Sequence, residues 1–193
     1  MDEGAEAYSV ATDGRPLTAD ELERVLKRYS EDVSQAVKEF VPASFDPPGG
    51  LDHVAFRLRP LGPEHNASDY AAWSSSIDHI RSTPGFAGLS WPHPMTLEDN
   101  LGDLVRHARD FAARVGFTYT VLAADQDGAT VIGCVYIYPT DRAGYDARVR
   151  SWVQAADARL DPVLYRAVTD WLDEAWPFER VDYAIRPDVT SPT

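Results

Sequence analysis

The chain has 193 residues, a hydrophobic fraction of 44% and a formal net charge of −13. These values predict one globular domain with a core of ordinary size, and the negative charge excludes nucleic-acid binding because it repels phosphate backbones. No apolar run is long enough to span a membrane, and the acidic start is unlike a secretory signal. The single cysteine, Cys134, excludes an internal disulfide and a multi-cysteine metal site. We expect a cytoplasmic protein.

The sequence before the main domain divides into two parts. Residues 1–16 are small, polar and acidic and predict a flexible arm, and residues 17–49 predict a helix and a linker. Thr18 and Glu21 form a capping box at the start of this helix, which carries a continuous apolar stripe. We expect the stripe to cover the open edge of the sheet, within its own chain or in a homodimer, or to pack elsewhere on the core.

The main domain, residues 50–193, begins with an alternating segment from His53 to Arg59 that predicts one strand. Its core face is predicted to hold Val54, Phe56 and Leu58. The next segment predicts one continuous helix with the apolar side chains of Tyr70, Trp73, Ile77 and Ile80 on one side.

A second helix is predicted after a loop rich in prolines and aromatic residues. Thr96 and Asp99 have the spacing of a capping box at its start, and Gly116 is its predicted C-cap. The helical period predicts an apolar face formed by Leu97, Leu101, Leu104, Ala108, Phe111 and Val115.

The remaining elements are three strands, a helix and a final strand. The strands are predicted over residues 117–123, 130–138 and 147–153, with Asp127-Gly128 as the turn of the first connection. The helix begins at Asp161, and its predicted inward residues are Leu164, Val168, Trp171 and Leu172. The last strand is predicted from Arg180 to Ile185.

This order of elements resembles that of the GNAT acetyltransferases. The segments Phe56–Leu61 and Val131–Tyr136 are similar to the first and third strands of that family, and the resemblance covers roughly residues 50–186. It implies an α+β, GNAT-like acyl-CoA N-acyltransferase fold. In that fold a mixed, mostly antiparallel central sheet is flanked by helices, and here it would carry an extra N-terminal helix.

The resemblance also implies acetyl-CoA or another acyl-CoA as the cofactor. The family holds it at the end of the fourth strand and on the following loop, where helix N–H groups face the pyrophosphate. The corresponding residues here are Trp152, Val153, Gln154, Arg159 and Leu160. The loop contains no glycine, which departs from the family pattern, and Asp161 is expected to cap the following helix itself.

A transferase of this kind needs a proton donor for the leaving thiolate and a pocket for the acceptor amine. The resemblance implies Tyr136 and Tyr183 as candidate catalytic acids, and Trp91, His93 and Tyr138 as residues of the substrate pocket. A base is available in Glu98 or Asp99, although the capping box accounts for both. Asp103, His107 and Asp110 share a helix face, which we interpret as solvated charges rather than a metal site.

Two functions therefore remain open from the sequence. The first is an acyl-CoA-dependent N-acyltransferase that modifies a small-molecule or protein amine. The second is a protein of the same fold that has lost acyl-CoA chemistry and acts as a binding or assembly module. The glycine-free loop and the short segment after Tyr183 favour the second function, and the element order favours the first.

Overall fold

The computed structural model describes residues 39–124 and 130–187. The predicted arm, most of the predicted N-terminal helix and the Asp127-Gly128 turn lie outside these residues. Phe40 and the described residues after it belong to one compact unit. Its strands are β1 (Leu51–His53), β2 (Phe56–Pro60), β3 (Phe117–Ala123), β4 (Val131–Pro139), β5 (Ala147–Val153) and β6 (Val181–Tyr183).

Four α-helices accompany the strands in the described chain. They are α1 (Asn66–Ser74), α2 (Ile77–Ser82), α3 (Leu97–Ala112) and α4 (Asp161–Ala175), and a 3₁₀ helix, Ala155–Leu160, leads into α4. The α+β class with a mixed sheet and flanking helices is therefore confirmed.

The strands form one sheet in chain order, β1-β2-β3-β4-β5-β6. Neighbouring strands are antiparallel except β5 and β6, which are parallel. The sheet separates two apolar clusters. One contains Val168 and Trp171 of α4, and the other contains Trp73 of α1 and Leu104 of α3. Both faces of β3 are covered, so its residues are buried from Phe117 to Leu122, including Thr118 and Thr120.

The first predicted strand is in fact a hairpin, and the placement of Val54 in the core is wrong. Val54 lies in the turn between β1 and β2 and is 90% exposed, whereas Phe56 and Leu58 are fully buried. The Ala55 N–H donates to Nδ1 of His53 at 3.1 Å and closes this turn. Alternation alone could not reveal the turn because it contains neither glycine nor proline.

The helix that was predicted to carry Tyr70, Trp73, Ile77 and Ile80 is divided into α1 and α2. Ser75 and Ser76 separate them, and the Ser75 hydroxyl donates to the carbonyl oxygen of Ala71 at 2.8 Å. Serine hydroxyls that compete for backbone groups favour helix ends. Trp73 and Ile80 are buried as predicted.

The capping box of α3 is confirmed, but part of its predicted apolar face is wrong. Thr96 Oγ1 accepts from the Asp99 N–H at 3.1 Å, and an Asp99 carboxylate oxygen accepts from the Thr96 N–H at 3.1 Å. Leu104 is buried, whereas Leu97 and Leu101 are 45% and 38% exposed. The helical spacing of the apolar residues predicted the helix correctly. It did not predict how much of the apolar face other elements would cover.

The C-terminal end of α3 also differs from the prediction. Arg114, not Gly116, adopts the left-handed conformation, with a φ of 62°. The Val115 N–H donates to Asp110 O and the Arg114 N–H to Phe111 O, which is the hydrogen-bond pattern of a Schellman motif. The guanidinium of Arg114 donates to the carbonyl oxygens of Pro42 and Phe45. These two bonds accompany a conformation that arginine rarely adopts.

Candidate functional site

Strands β5 and β6 diverge after a short paired stretch. Only Ala147, Arg148 and Val149 pair with β6, so the residues of β5 beyond Val149 have no strand partner on that side. We call the space between the diverging strands the β5–β6 gap. It contains the guanidinium of Arg186, a residue that is 1% exposed.

Arg186 binds groups from every side of this gap. Its Nε donates to one oxygen of the Asp161 carboxylate at 2.6 Å, and Nη2 donates to the other at 3.1 Å. Nη2 also donates to the backbone carbonyl oxygen of Ser151 at 2.9 Å, and Nη1 donates to Pro84 O at 3.1 Å. The gap is therefore filled by a two-pronged ion pair whose remaining donors are satisfied.

The prediction that Asp161 caps α4 is wrong for the same reason. The N-cap position is Leu160, whose side chain makes no capping bond, and the Asp161 carboxylate faces Arg186 instead. Sequence pattern could not reveal this pair because the two residues are far apart along the chain.

Some backbone N–H groups of the loop before α4 donate hydrogen bonds to other parts of the protein. Gln154 N–H donates to Ile132 O at 2.7 Å, and Ala155 N–H donates to the Ser76 hydroxyl at 3.0 Å. The Gln154 side-chain amide donates to Asp157 at 2.7 Å. Arg159 is exposed, and its side chain has no hydrogen bond or ion pair with another described residue.

The other predicted cofactor residues lie in the packed interior. Trp152 is fully buried, and its indole N–H donates to the Tyr136 hydroxyl at 3.2 Å. Val153 is buried in the cluster beneath α4, and Leu160 packs against the same cluster. The structure thus places the five predicted cofactor residues around the end of β5, on both faces of the sheet.

A cleft of about 940 Å³ opens on the face of the sheet that α1 and α3 cover. It brings together all three residues predicted for the substrate pocket, Trp91, His93 and Tyr138. Tyr136, Tyr138, Arg148 and Arg150 come from β4 and β5, and further wall residues come from α3, among them Glu98, Asp99, Asp103, Arg106 and His107.

Trp91 of the cleft wall packs within a cluster of aromatic rings. The centroid of its ring lies 5.8 Å from that of Phe86, 6.1 Å from that of Trp152 and 6.3 Å from that of Tyr136. Tilted and edge-on rings at these separations attract one another, and these contacts stabilise the position of the Trp91 indole. The nearby His93 is exposed, and its Nδ1 lies 3.2 Å from Ser90 O.

A polar cluster around His107 forms another part of the wall. Nδ1 of His107 lies 2.8 Å from the Tyr138 hydroxyl and 3.0 Å from Thr118 Oγ1, and Tyr138 donates to the Asp110 carboxylate at 2.9 Å. Burial lowers the pKa of His107 to about 4 and raises the pKa of Tyr138 to about 12. Both groups are therefore neutral at pH 7.

Sequence reasoning missed His107. Its place on a helix face with Asp103 and Asp110 was interpreted as a set of solvated charges, whereas the imidazole is partly buried against β3 and β4. The position of Tyr138 on a strand gave no signal that it would meet this helix. Gly116 shapes the contact, because a Cβ atom there would overlap the ring of Tyr138.

The two tyrosines predicted as catalytic acids occupy different places. Tyr136 lines the cleft and is partly buried, and burial of its hydroxyl raises its pKa well above the ordinary value. Tyr183 does not line the cleft. It lies on β6, its hydroxyl bonds with the Ser151 hydroxyl, and burial raises its pKa. Such tyrosines hold their protons tightly at pH 7.

A buried carboxylate lies at the inner side of the cleft. Asp69 is 4% exposed and accepts hydrogen bonds from Asn100 Nδ2 at 3.1 Å and from the Cys134 thiol at 3.4 Å. Burial raises its pKa. The indole N–H of Trp73 donates to Asn100 Oδ1 at 2.9 Å, so the Asp69 carboxylate belongs to a hydrogen-bond network with fixed geometry.

Comparison with solved structures identifies the architecture. A protein assigned as a ribosomal-protein-serine acetyltransferase from Vibrio cholerae aligns with a TM-score of 0.55 over 75% of this chain and 78% of its own, at 13% identity. The fold is that of the GNAT acetyltransferases.

Two further solved structures align less well. The ribosomal-protein-S5-alanine acetyltransferase from Vibrio fischeri has a TM-score of 0.49 at 15% identity, over 65% of this chain and 68% of its own. The microcin C7 self-immunity acetyltransferase, solved with acetyl-CoA and AMP, has a TM-score of 0.48 at 14% identity, over 66% and 67%. No protein-family model and no curated protein matches the sequence.

No helix among the described residues is both long enough and apolar enough to cross a membrane. Across residues 39–124 and 130–187, no three His, Cys, Asp or Glu side chains are grouped so that they could hold a metal ion.

Proposed function

We propose that this chain uses a GNAT fold to bind a small ligand in the cleft, and that it does so without acyl-CoA chemistry. One observation carries the second half of this proposal: the buried guanidinium of Arg186 fills the β5–β6 gap. The cleft beside the gap is open and combines an apolar surface with polar groups, which is the usual composition of a ligand site.

The chemistry of the gap supports this proposal. A pantetheine arm would need the backbone acceptor at Ser151, which already accepts from Arg186. A pyrophosphate at the start of α4 would lie near the Asp161 carboxylate and would be repelled by it. Displacing Arg186 would leave the largely buried Asp161 carboxylate without its partner, which is energetically costly.

Calorimetric titration with acetyl-CoA and with free CoA tests the proposal. We expect no binding at ligand concentrations up to about 1 mM, which corresponds to a binding free energy no better than roughly −4 kcal/mol. A dissociation constant in the low micromolar range would overturn the proposal, because a cofactor could reach that affinity only by displacing the Arg186–Asp161 pair.

A second candidate is an acyl-CoA-dependent N-acyltransferase that acts on a small-molecule or protein amine. It is favoured by the shared fold and by the position of the cleft, whose wall includes side chains of β5 next to the gap. In this candidate Arg186 leaves the gap when acyl-CoA binds, Arg159 contacts the phosphates and Tyr138 donates a proton to the leaving thiolate.

The second candidate has its own test. Incubation with acetyl-CoA and a panel of amines, including short peptides with free N-termini, would give acetylated products detectable by mass spectrometry. If such products appear and Arg159→Ala weakens CoA binding without unfolding the protein, the transferase replaces the ligand-binding proposal.

The predicted cytoplasmic location and homodimer are proposals under either function, and sedimentation would test the homodimer.

A further inference from the structure

Two of the arginines in the cleft wall have carboxylate partners inside the protein. Arg106 Nη2 lies 3.0 Å from an Asp103 oxygen, and Arg148 Nε lies 3.1 Å from an oxygen of Asp182. These ion pairs satisfy part of the hydrogen-bonding capacity of both guanidinium groups. They leave Arg150 as the arginine of the wall that forms no ion pair with a described carboxylate.

The side chain of Arg150 makes one hydrogen bond within the described chain. Its Nε donates to Gly85 O at 2.9 Å, and its two Nη groups have no partner among the described residues. The side chain is partly buried, and burial together with the charge of Arg148 lowers its pKa. A guanidinium in this state is stabilised by any anion that reaches its open donors.

The acidic groups of the cleft do not supply that anion. The Asp99 carboxylate accepts from Thr96 in the capping box. Asp69 is buried and accepts from Asn100 and Cys134. Glu98 is exposed in the first turn of α3, where the helix dipole favours an acidic residue. None of the three forms an ion pair with Arg150.

We propose that Arg150 binds an anionic group, a carboxylate or a phosphate, of a ligand whose apolar part packs on the indole of Trp91. This proposal rests on the proposed function, since it specifies the ligand of the same cleft. Two parallel N–H donors of a guanidinium match two oxygens of either anion, and the half-buried indole of Trp91 offers an apolar contact in the same cleft wall.

Two pairs of probes test the ligand class and separate its sources. The carboxylate 3-phenylpropionate is compared with the neutral 3-phenylpropionamide, and phenyl phosphate is compared with phenol. Binding is followed by the indole N–H signal of Trp91 in ¹H–¹⁵N NMR spectra of the full chain. We expect at least one anion to shift this signal and to bind about tenfold more tightly than its neutral partner, as one charge-assisted hydrogen bond predicts.

A pair of matched variants assigns the preference to Arg150. In Arg150→Gln the preference for the anion should fall to about twofold or less, and Arg150→Lys should restore part of it. Arg106→Gln removes a cleft arginine that already has a partner, so it should keep the tenfold preference. The dispersion of the NMR spectrum reports whether each variant is folded.

The outcomes separate this proposal from the function on which it rests. If neutral probes bind as well as the anions, or if Arg150→Gln keeps the preference, the anionic ligand class is wrong and the cleft remains a ligand site. If no probe shifts the Trp91 signal at millimolar concentration, the ligand class is wrong and the ligand-binding function loses its support. A preference for one anion over the other identifies the source.

Discussion

The β5–β6 gap and the cleft lie on the same sheet, yet their polar groups are satisfied in opposite ways. In the gap, the guanidinium of Arg186 has acceptors on every side, all supplied by the protein. In the cleft, Arg150 has open donors and His107 has a second ring nitrogen with no partner among the described residues. Groups satisfied internally stabilise the fold, whereas open groups are available to a ligand.

The largest expected effect comes from breaking the ion pair in the gap. Arg186→Ala leaves the Asp161 carboxylate without its partner and should lower the free energy of unfolding by about 3–5 kcal/mol, measured by urea denaturation. Adding Asp161→Asn should recover part of this loss, because the uncompensated charge is then removed. If the single variant loses less than about 1 kcal/mol, the gap does not depend on this pair.

A second effect concerns the pH dependence contributed by the cleft. His107 has its pKa lowered to about 4 by burial, from an ordinary value of 6.5. Its contribution to stability is therefore complete above pH 6.5 and is lost as the pH falls toward 4, because only the unfolded chain gains the proton in that range. The loss should approach about 3 kcal/mol.

Denaturation at pH 7, 5.5 and 4.5 measures this loss. His107→Gln should remove the corresponding part of the pH slope. An unchanged slope in His107→Gln would show that the imidazole is not held neutral by its surroundings.

A smaller effect is expected at Gly116. The Cβ atom of Gly116→Ala would overlap the Tyr138 ring, so the tyrosine must move and the free energy of unfolding should fall by about 1–3 kcal/mol. Gly102→Ala is the matched control, since Gly102 also borders the cleft but has open space around its Cβ position. Equal stability of the two variants would contradict the packing described for Tyr138.

The smallest effect should come from Arg159, which the resemblance implied as a cofactor-binding residue. Arg159→Ala removes an exposed side chain without a described partner and should change the free energy of unfolding by less than about 0.5 kcal/mol. Set beside Arg186→Ala, it compares two arginines near the start of α4. A loss comparable with that of Arg186→Ala would mean that Arg159 has a partner in solution.

Local signals in the sequence were sufficient for most of the fold. The capping box at Thr96, the strands β3, β4 and β5, and the apolar face of α4 depend on residues close together along the chain, and the structure confirms each of them. The prediction that Val54 lies in the core was wrong because this residue lies in a hairpin turn. The turn is closed by a side chain and contains no glycine or proline that would indicate it.

The candidate site was less predictable because its contacts join distant segments. The structure brings Trp91, His93 and Tyr138 together in the wall of one cleft, and their role in binding stays a prediction. The hydrogen bond between His107 and Tyr138 joins a helix and a strand, so no local pattern indicated it. The pairing of Asp161 with Arg186 depends on where β6 ends relative to β5, which no local pattern encodes.

The pair formed by Arg186 and Asp161 also constrains how this sequence can change over generations. A substitution of either residue alone leaves the other with an uncompensated charge at a largely buried place, so each single step passes through a less stable protein. The two positions are therefore expected to vary together among related sequences. A lineage that once closed the gap in this way would rarely reopen it, since the return path requires two changes of which the first is harmful.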